Sequence, residues 1–211
     1  MTNPWSIQSI RDAIDTAVMD WRNRPLTIDD VRDWAHHPDN EFWDFELLEG
    51  ELIPRAPHGF AQGVLAADFA FHLSRHVMQT DAGFCTIGSG YYPDGENDTL
   101  VGTDVAFLSH ERDPGSPPEE WVAAMPDIAV ELFEPWDSLA LARRKAEIYM
   151  RKGSLLFWLV LPGRRVIEVS RLDAAAQIET ESLGLGDTLS GDDILPGFEL
   201  AISDIFAVLR D

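Results

Sequence analysis

The sequence predicts an α/β layered fold, and three observations predict it. First, a strand-like run over residues 127–133, a helix-like segment over 138–152 and a second strand-like run over 155–161 form a βαβ unit of the usual size. Such a crossover joins parallel strands and is almost always right-handed. Second, both strands are continuous apolar runs, as expected of central strands covered on both faces. Third, 211 residues with 45% hydrophobic side chains and seven Trp can fill one core, so the chain reads as one domain, or one domain with a small appendage.

The elements follow in order. Residues 1–24 read as a helix with Trp5, Ile7, Ile10, Ile14 and Val18 on one face. Thr27 to Asp30 has the pattern of a capping box, with Asp in the third position, and starts a short helix to about His36. Pro38, Asp39 and Asn40 end it. Residues 45–54 read as a hairpin turning at Glu49 and Gly50. Residues 60–79 repeat Phe60, Val64, Phe71 and Val77 at helical spacing. Strands are expected at about 84–92 and 101–108, then a loop at 111–120 rich in Pro and Gly. After the βαβ unit, whose helix stops at Gly153, a turn at Pro162 and Gly163 leads to a strand at 165–172. A strand near 177–182 and a helix at 202–209 complete the pattern.

Composition limits the function classes. No run is long and apolar enough to span a membrane, and the N-terminus lacks a basic stretch followed by an apolar one, so a cytoplasmic protein is expected. The single cysteine, Cys85, excludes an internal disulfide framework and a multi-cysteine zinc site. A net charge of -21 opposes binding to a phosphate backbone. The charge is unevenly spread, however: between Arg143 and Arg171 eight basic residues face only Glu147 and Glu168, a local +6. That window is either a solvated helix face with a charged turn or a basic rim beside a site.

The chemistry-bearing residues lie in the βαβ unit and just before it. At about 100° per residue, Lys145 falls between Leu141, Ile148 and Tyr149 on the apolar face of its helix. An ammonium aimed at a core needs a partner. Glu131, set among apolar residues in the preceding strand, is the natural one. Glu131 then serves either a structural ion pair or a metal. Asp104 opens the strand beginning at Val105; alone it is also a plain turn cap. Two carboxylates on neighbouring strands can hold one Mg²⁺ through oxygen ligands. A nearby lysine can orient or deprotonate a water, or stabilise charge on a phosphate. Together these residues suggest a metal-dependent nuclease site. Glu46, in the first hairpin, is a candidate third carboxylate, with Glu49 and Glu51 close by in sequence.

These segments carry a resemblance. FELLEGEL from Phe45, GTDVAFL from Gly102, PDIAVELFEP from Pro126, ARRKAEIYMRKG from Ala142 and FWLV from Phe157, closing with DILPGFEL from Asp193, resemble the Uma2 family. That family is assigned to the restriction-type endonucleases of the PD-(D/E)XK superfamily. The resemblance runs from about Leu26 to Val208, leaving residues 1–25 as a helical extension to a domain of 26–211. It implies a restriction-endonuclease-like fold, a mixed central β-sheet flanked by helices. It implies that Asp104 and Glu131 bind the metal, that Lys145 is a catalytic lysine moved from the strand to the following helix, and that Glu46 is the acidic residue of the first hairpin. Mg²⁺, with Mn²⁺ as substitute, is the implied cofactor, DNA the substrate and a homodimer the simplest assembly for cutting two strands.

The chain departs from that pattern at three places. Thr103 stands where a proline is usual, and Glu134 and Trp136 stand where small serines are common. Glu134 adds negative charge beside the expected site, so the second expectation is a catalytically inactive interaction or regulatory module on a nuclease fold. Other signals are set aside. His72 and His76 have zinc-compatible spacing but no third ligand. Cys85 reads as core, and the glycines at 184 and 186 lack the third of a dinucleotide fingerprint.

Overall fold

The structure is a computed structural model that describes residues 24–35, 44–55, 57–115 and 120–209. The expected N-terminal helix and the stop at Pro38 to Asn40 lie outside the described residues. The chain divides into two compact units, one of residues 1–56 with 96–100, the other of residues 57–95 with 101–211.

In the first unit, α1 (Ile28–Ala35) precedes a hairpin of β1 (Asp44–Leu48) and β2 (Glu51–Arg55). The capping box forms as expected: the Thr27 amide donates to Asp30 Oδ2 at 2.8 Å, and the Asp30 amide donates to Thr27 Oγ1 at 3.3 Å. The Arg24 guanidinium, which bonds both Asp30 oxygens at 2.6 Å, holds that carboxyl well below the usual carboxylate range. The hairpin turns at Glu49 and Gly50, both at positive φ. A side chain on Gly50 would meet Pro25 at 2.6 Å. Leu47 and Leu100 exchange backbone hydrogen bonds, both 2.8 Å, which ties residues 96–100 to the hairpin.

The second unit is built on a six-stranded mixed sheet. Its elements are α2 (Phe60–Thr80), β3 (Gly83–Ile87), β4 (Gly90–Tyr91), β5 (Val101–Gly102), β6 (Val105–Ser109), β7 (Ile128–Leu132), α3 (Leu139–Lys152), β8 (Leu156–Leu161), β9 (Val166–Leu172), β10 (Ile178–Leu183), β11 (Thr188–Ser190), β12 (Glu199–Ala201) and α4 (Ile202–Ala207). The sheet order is β10-β9-β8-β7-β6-β3, with β7 and β8 parallel and every other pair antiparallel. Every residue of β7 and β8 is buried, as expected for central strands. Ser138 caps α3, accepting from the Leu141 amide at 3.4 Å, and Gly153 ends it at φ 113°.

Alternation divides the sheet into two faces. On one, Val105, Phe107, Ile128, Val130, Leu132, Leu156, Trp158, Val160, Ile167 and Val169 pack with Leu65, Phe69, Leu73 and Val77 of α2 and with α4. This is the apolar core. The other face carries Ala106, Ala129, Glu131, Phe157, Leu159, Glu168 and Ser170 and is covered by α3, which contacts β8 and β9. Polar chemistry is concentrated on this second face.

Two expected strands are each broken in two. Gly88, at φ 64°, interrupts residues 84–92, so β3 joins the main sheet while β4 pairs with β5. Thr103 and Asp104 interrupt residues 101–108 in the same way. The break matters, because it places Asp104 at the end of β6 rather than within a strand.

Candidate active site

The register of β6 and β7 pairs Val105 with Val130 and Ala106 with Ala129; one step further it sets Asp104 opposite Glu131. Directly opposed residues share a face of the sheet. Here that is the face under α3. A 2.7 Å hydrogen bond from the Leu132 amide to Asp104 Oδ2 fixes the aspartate there. Both acids are buried, Asp104 at 3% exposure and Glu131 at 8%.

Lys145 reaches the same place from α3. Its Nζ lies 2.6 Å from Glu131 Oε2, and the Tyr149 hydroxyl donates to Glu131 Oε1 at 3.0 Å. Lys145 and Tyr149 are four residues apart, hence neighbours on one helix face. The Tyr149 ring packs on Phe157 at a centroid distance of 5.1 Å. The expected partnership of Glu131 and Lys145 is therefore present in the fold, and Asp104 stands just before the adjoining strand β6. Glu46 belongs to the other compact unit; on β1 it is buried at 2% exposure and pairs across the hairpin with Ile53.

One side chain that sequence reasoning did not assign, that of His58, also meets Asp104. His58 lies just before α2, next to its N-cap Gly59. Its Nε2 is 3.1 Å from Asp104 Oδ1 and its Nδ1 is 3.0 Å from Glu134 Oε1. Glu134 Oε1 also accepts from the Gly59 amide at 3.1 Å, while its buried Oε2 has no hydrogen-bond partner among the described residues. The signal for His58 was faint: a lone histidine in a Pro-His-Gly turn ahead of an apolar helix. Tyr149 was read only as apolar, although a buried tyrosine hydroxyl normally finds a partner. Trp136 is 60% exposed, unlike the core residue Trp158, so the tryptophans do not share one packing role.

Asp104, Glu131 and Glu134 gather three carboxylates around Lys145 and His58. Oxygen donors of this kind suit a divalent cation. Among the described residues, no three His, Cys, Asp or Glu side chains are grouped so as to enclose a metal. Two opposed carboxylates nonetheless fit Mg²⁺ by donor chemistry, because this ion takes one or two carboxylates and keeps several waters.

The basic window is largely answered by acids. Arg143 bonds Glu168 at 2.7 and 3.2 Å, Arg171 lies 3.2 Å from Asp192 and 3.6 Å from Glu181, and Arg151 lies 3.7 Å from Glu147. The two helix histidines diverge: His72 faces Asp68 at 3.7 Å and His76 faces the Pro196 carbonyl at 3.1 Å. Burial pushes the Cys85 thiol up to about 11, which suits a packing residue rather than a nucleophile.

Comparisons with known proteins bear on the fold and the family. The crystal structure of "a putative nuclease belonging to DUF820" from Anabaena variabilis superposes with a TM-score of 0.73, covering 88% of this chain and all of that one at 18% identity. The likeness defines the class: an α/β protein with a mixed central sheet of the nuclease fold. Residues 28–203 match the model of the family described as "Uma2: Putative restriction endonuclease", and the chain belongs to that family. No curated protein matches it. No helix among the described residues is long and apolar enough to cross a membrane.

Proposed function

We propose that the protein is a Mg²⁺-dependent endonuclease that hydrolyses DNA phosphodiester bonds in the cytoplasm. The observation that carries the reading is the convergence on one sheet face of Asp104, Glu131 and Lys145, with Nζ 2.6 Å from Glu131 Oε2. The family description and the likeness to a nuclease structure support it.

In this reading Asp104 and Glu131 hold the cation. When bound, Mg²⁺ lowers the pKa of water and offsets charge on the phosphate. Tyr149 and Lys145 keep the Glu131 carboxylate in one orientation. Lys145 carries a positive charge into a buried setting, where it acts on the attacking water or on the charge that develops on the phosphate. The Leu132 amide keeps Asp104 turned the same way. Glu46 is a supporting acid from the first hairpin, and a homodimer is the simplest arrangement for cutting both strands.

A second reading is supported by Glu134, which is buried in contact with His58 beside Asp104. An added carboxylate repels phosphate, and the chain carries -21 overall. On that reading the protein is a nuclease-fold interaction or regulatory module.

Cleavage of single- and double-stranded DNA with Mg²⁺ or Mn²⁺ separates the two. The endonuclease reading expects metal-dependent internal cuts that chelation abolishes, and a loss of at least about 100-fold in Lys145→Ala. Full activity in Lys145→Ala removes the lysine from the mechanism. Absence of cleavage, together with absence of metal binding at millimolar concentration, favours the module.

A further inference from the structure

We propose that His58 is a metal ligand: its Nε2 and Asp104 Oδ1 take one divalent cation together, and Glu134 holds the imidazole in place for it. The proposal rests on the reading of Asp104 as a metal-binding residue and adds to it a nitrogen donor, and so a preference among metals.

The spacing is the first argument. Nε2 and Oδ1 lie 3.1 Å apart. Adjacent ligands on an octahedral cation with bonds of about 2.1 Å lie about 3.0 Å apart. The spacing matches neighbouring ligands of such a shell, as it also matches an N–H···O hydrogen bond.

The second argument is the proton. Glu134 Oε1, 3.0 Å from Nδ1, and Asp104 Oδ1, 3.1 Å from Nε2, can each accept the imidazole N–H, and a metal on Nε2 selects the tautomer with the proton on Nδ1. Glu134 Oε1 also accepts from the Gly59 amide, so the carboxylate is itself fixed. Nε2 then presents a lone pair to the carboxylate oxygen of Asp104. Two lone pairs at 3.1 Å repel unless a positive charge lies between them. Metal-bound histidines commonly give their other N–H to a carboxylate in this way.

The third argument is charge and access. Glu134 Oε2 is buried with no hydrogen-bond partner among the described residues, and a carboxylate left so is costly without compensating positive charge nearby. The side chains of Asp104 and Glu134 are 2% and 7% exposed, whereas that of His58 is 32% exposed. An ion therefore reaches the pair along the imidazole edge. A set of one nitrogen with oxygens suits Mn²⁺, Co²⁺ or Zn²⁺ better, relative to Mg²⁺, than carboxylates alone.

The rival arrangement has a proton in place of the metal: an imidazolium that clasps Asp104 and Glu134 and keeps cations away. The two differ in sign. The test uses the full chain, with Mn²⁺ titrated by calorimetry and the bound ion followed by pulsed electron paramagnetic resonance. The expected result is a ¹⁴N coupling that changes to the ¹⁵N pattern on labelling with ¹⁵N-histidine. It disappears in His58→Gln, where Mn²⁺ affinity falls at least about tenfold. In Glu134→Gln, affinity falls about 10–100-fold. His72→Gln and His76→Gln keep the coupling. The wild-type coupling needs no variant, so a folding defect in His58→Gln leaves the test intact. If Mn²⁺ binds, is lost in Asp104→Asn and yet shows no nitrogen coupling, His58 is not a ligand while the Asp104 reading stands. Equal or tighter binding by His58→Gln likewise overturns the proposal in favour of the clasp. No binding at millimolar Mn²⁺ overturns both.

Discussion

Nζ of Lys145 on α3 lies 2.6 Å from Oε2 of Glu131 on β7, and both side chains are about nine-tenths buried. The pair lies on the face of the sheet that also carries Asp104. A buried ion pair is weak evidence of stability, since burying two charges offsets much of their attraction. Its position beside a second acid is what gives it a functional reading.

Lys145→Met removes the ammonium from the buried Glu131 while the Tyr149 hydrogen bond remains. The expected loss in urea unfolding is about 3 kcal/mol, at the low end for a broken buried pair because the tyrosine remains. The double variant Glu131→Gln with Lys145→Met is expected to recover most of that loss while remaining inactive on DNA. A double variant that keeps activity assigns the pair to stability alone.

Asp104→Asn keeps the shape of the side chain and an oxygen for the Leu132 amide. It is expected to unfold within about 1 kcal/mol of the parent, the scale of one neutral hydrogen bond. Metal binding measured by calorimetry is expected to vanish. Unchanged Mn²⁺ affinity in this variant contradicts the role given to Asp104.

Asp127 offers a contrast. It is a buried acid with no place in the chemistry: Oδ2 accepts from the Ser109 amide at 2.7 Å and Oδ1 from Arg112 at 3.1 Å, while Arg112 also donates to the Gly153 carbonyl at 2.7 Å. This joins the ends of β6, β7 and α3. Arg112→Ala is expected to cost about 2–3 kcal/mol, discounted because the Arg112 side chain is 29% exposed. Mn²⁺ affinity is expected to stay unchanged.

Asp68, on α2, supplies a pH dependence. Burial pushes its carboxyl above the ordinary value, with His72 opposing the rise and the Asp204 charge adding to it, and its Oδ2 has no hydrogen-bond partner among the described residues. A raised folded value means the native state holds the proton more tightly, so stability is lost as pH climbs from the unfolded value of about 3.9 through the folded one. Asp68→Asn is expected to raise Tm at pH 7, with the gain fading as pH falls below about 4. A gain that persists at pH 3 contradicts this cause.

Much of this was legible in the chain because the signals are local. The βαβ unit, the capping box at Thr27 and the pairing of Lys145 with Glu131 all follow from spacing within a few turns of the chain. The small β11–β12 hairpin was not legible: three-residue strands separated by a long turn carry no period to detect. The breaks at Gly88 and Thr103 arise from which sheet each half-strand joins, a tertiary choice. His58 was invisible for the same reason, since its partners Asp104 and Glu134 lie 46 and 76 residues away. The resemblance to Uma2 named Asp104, Glu131, Lys145 and Glu46 but said nothing of the imidazole.

The account depends above all on a divalent cation held by Asp104 and Glu131. The most direct measurement is a crystal soaked in Mn²⁺ and examined by anomalous diffraction. An anomalous peak within coordination distance of both carboxylates is the expected result. A clean map at millimolar Mn²⁺, with Lys145 still bonded to Glu131 and no ion beside Asp104, contradicts it.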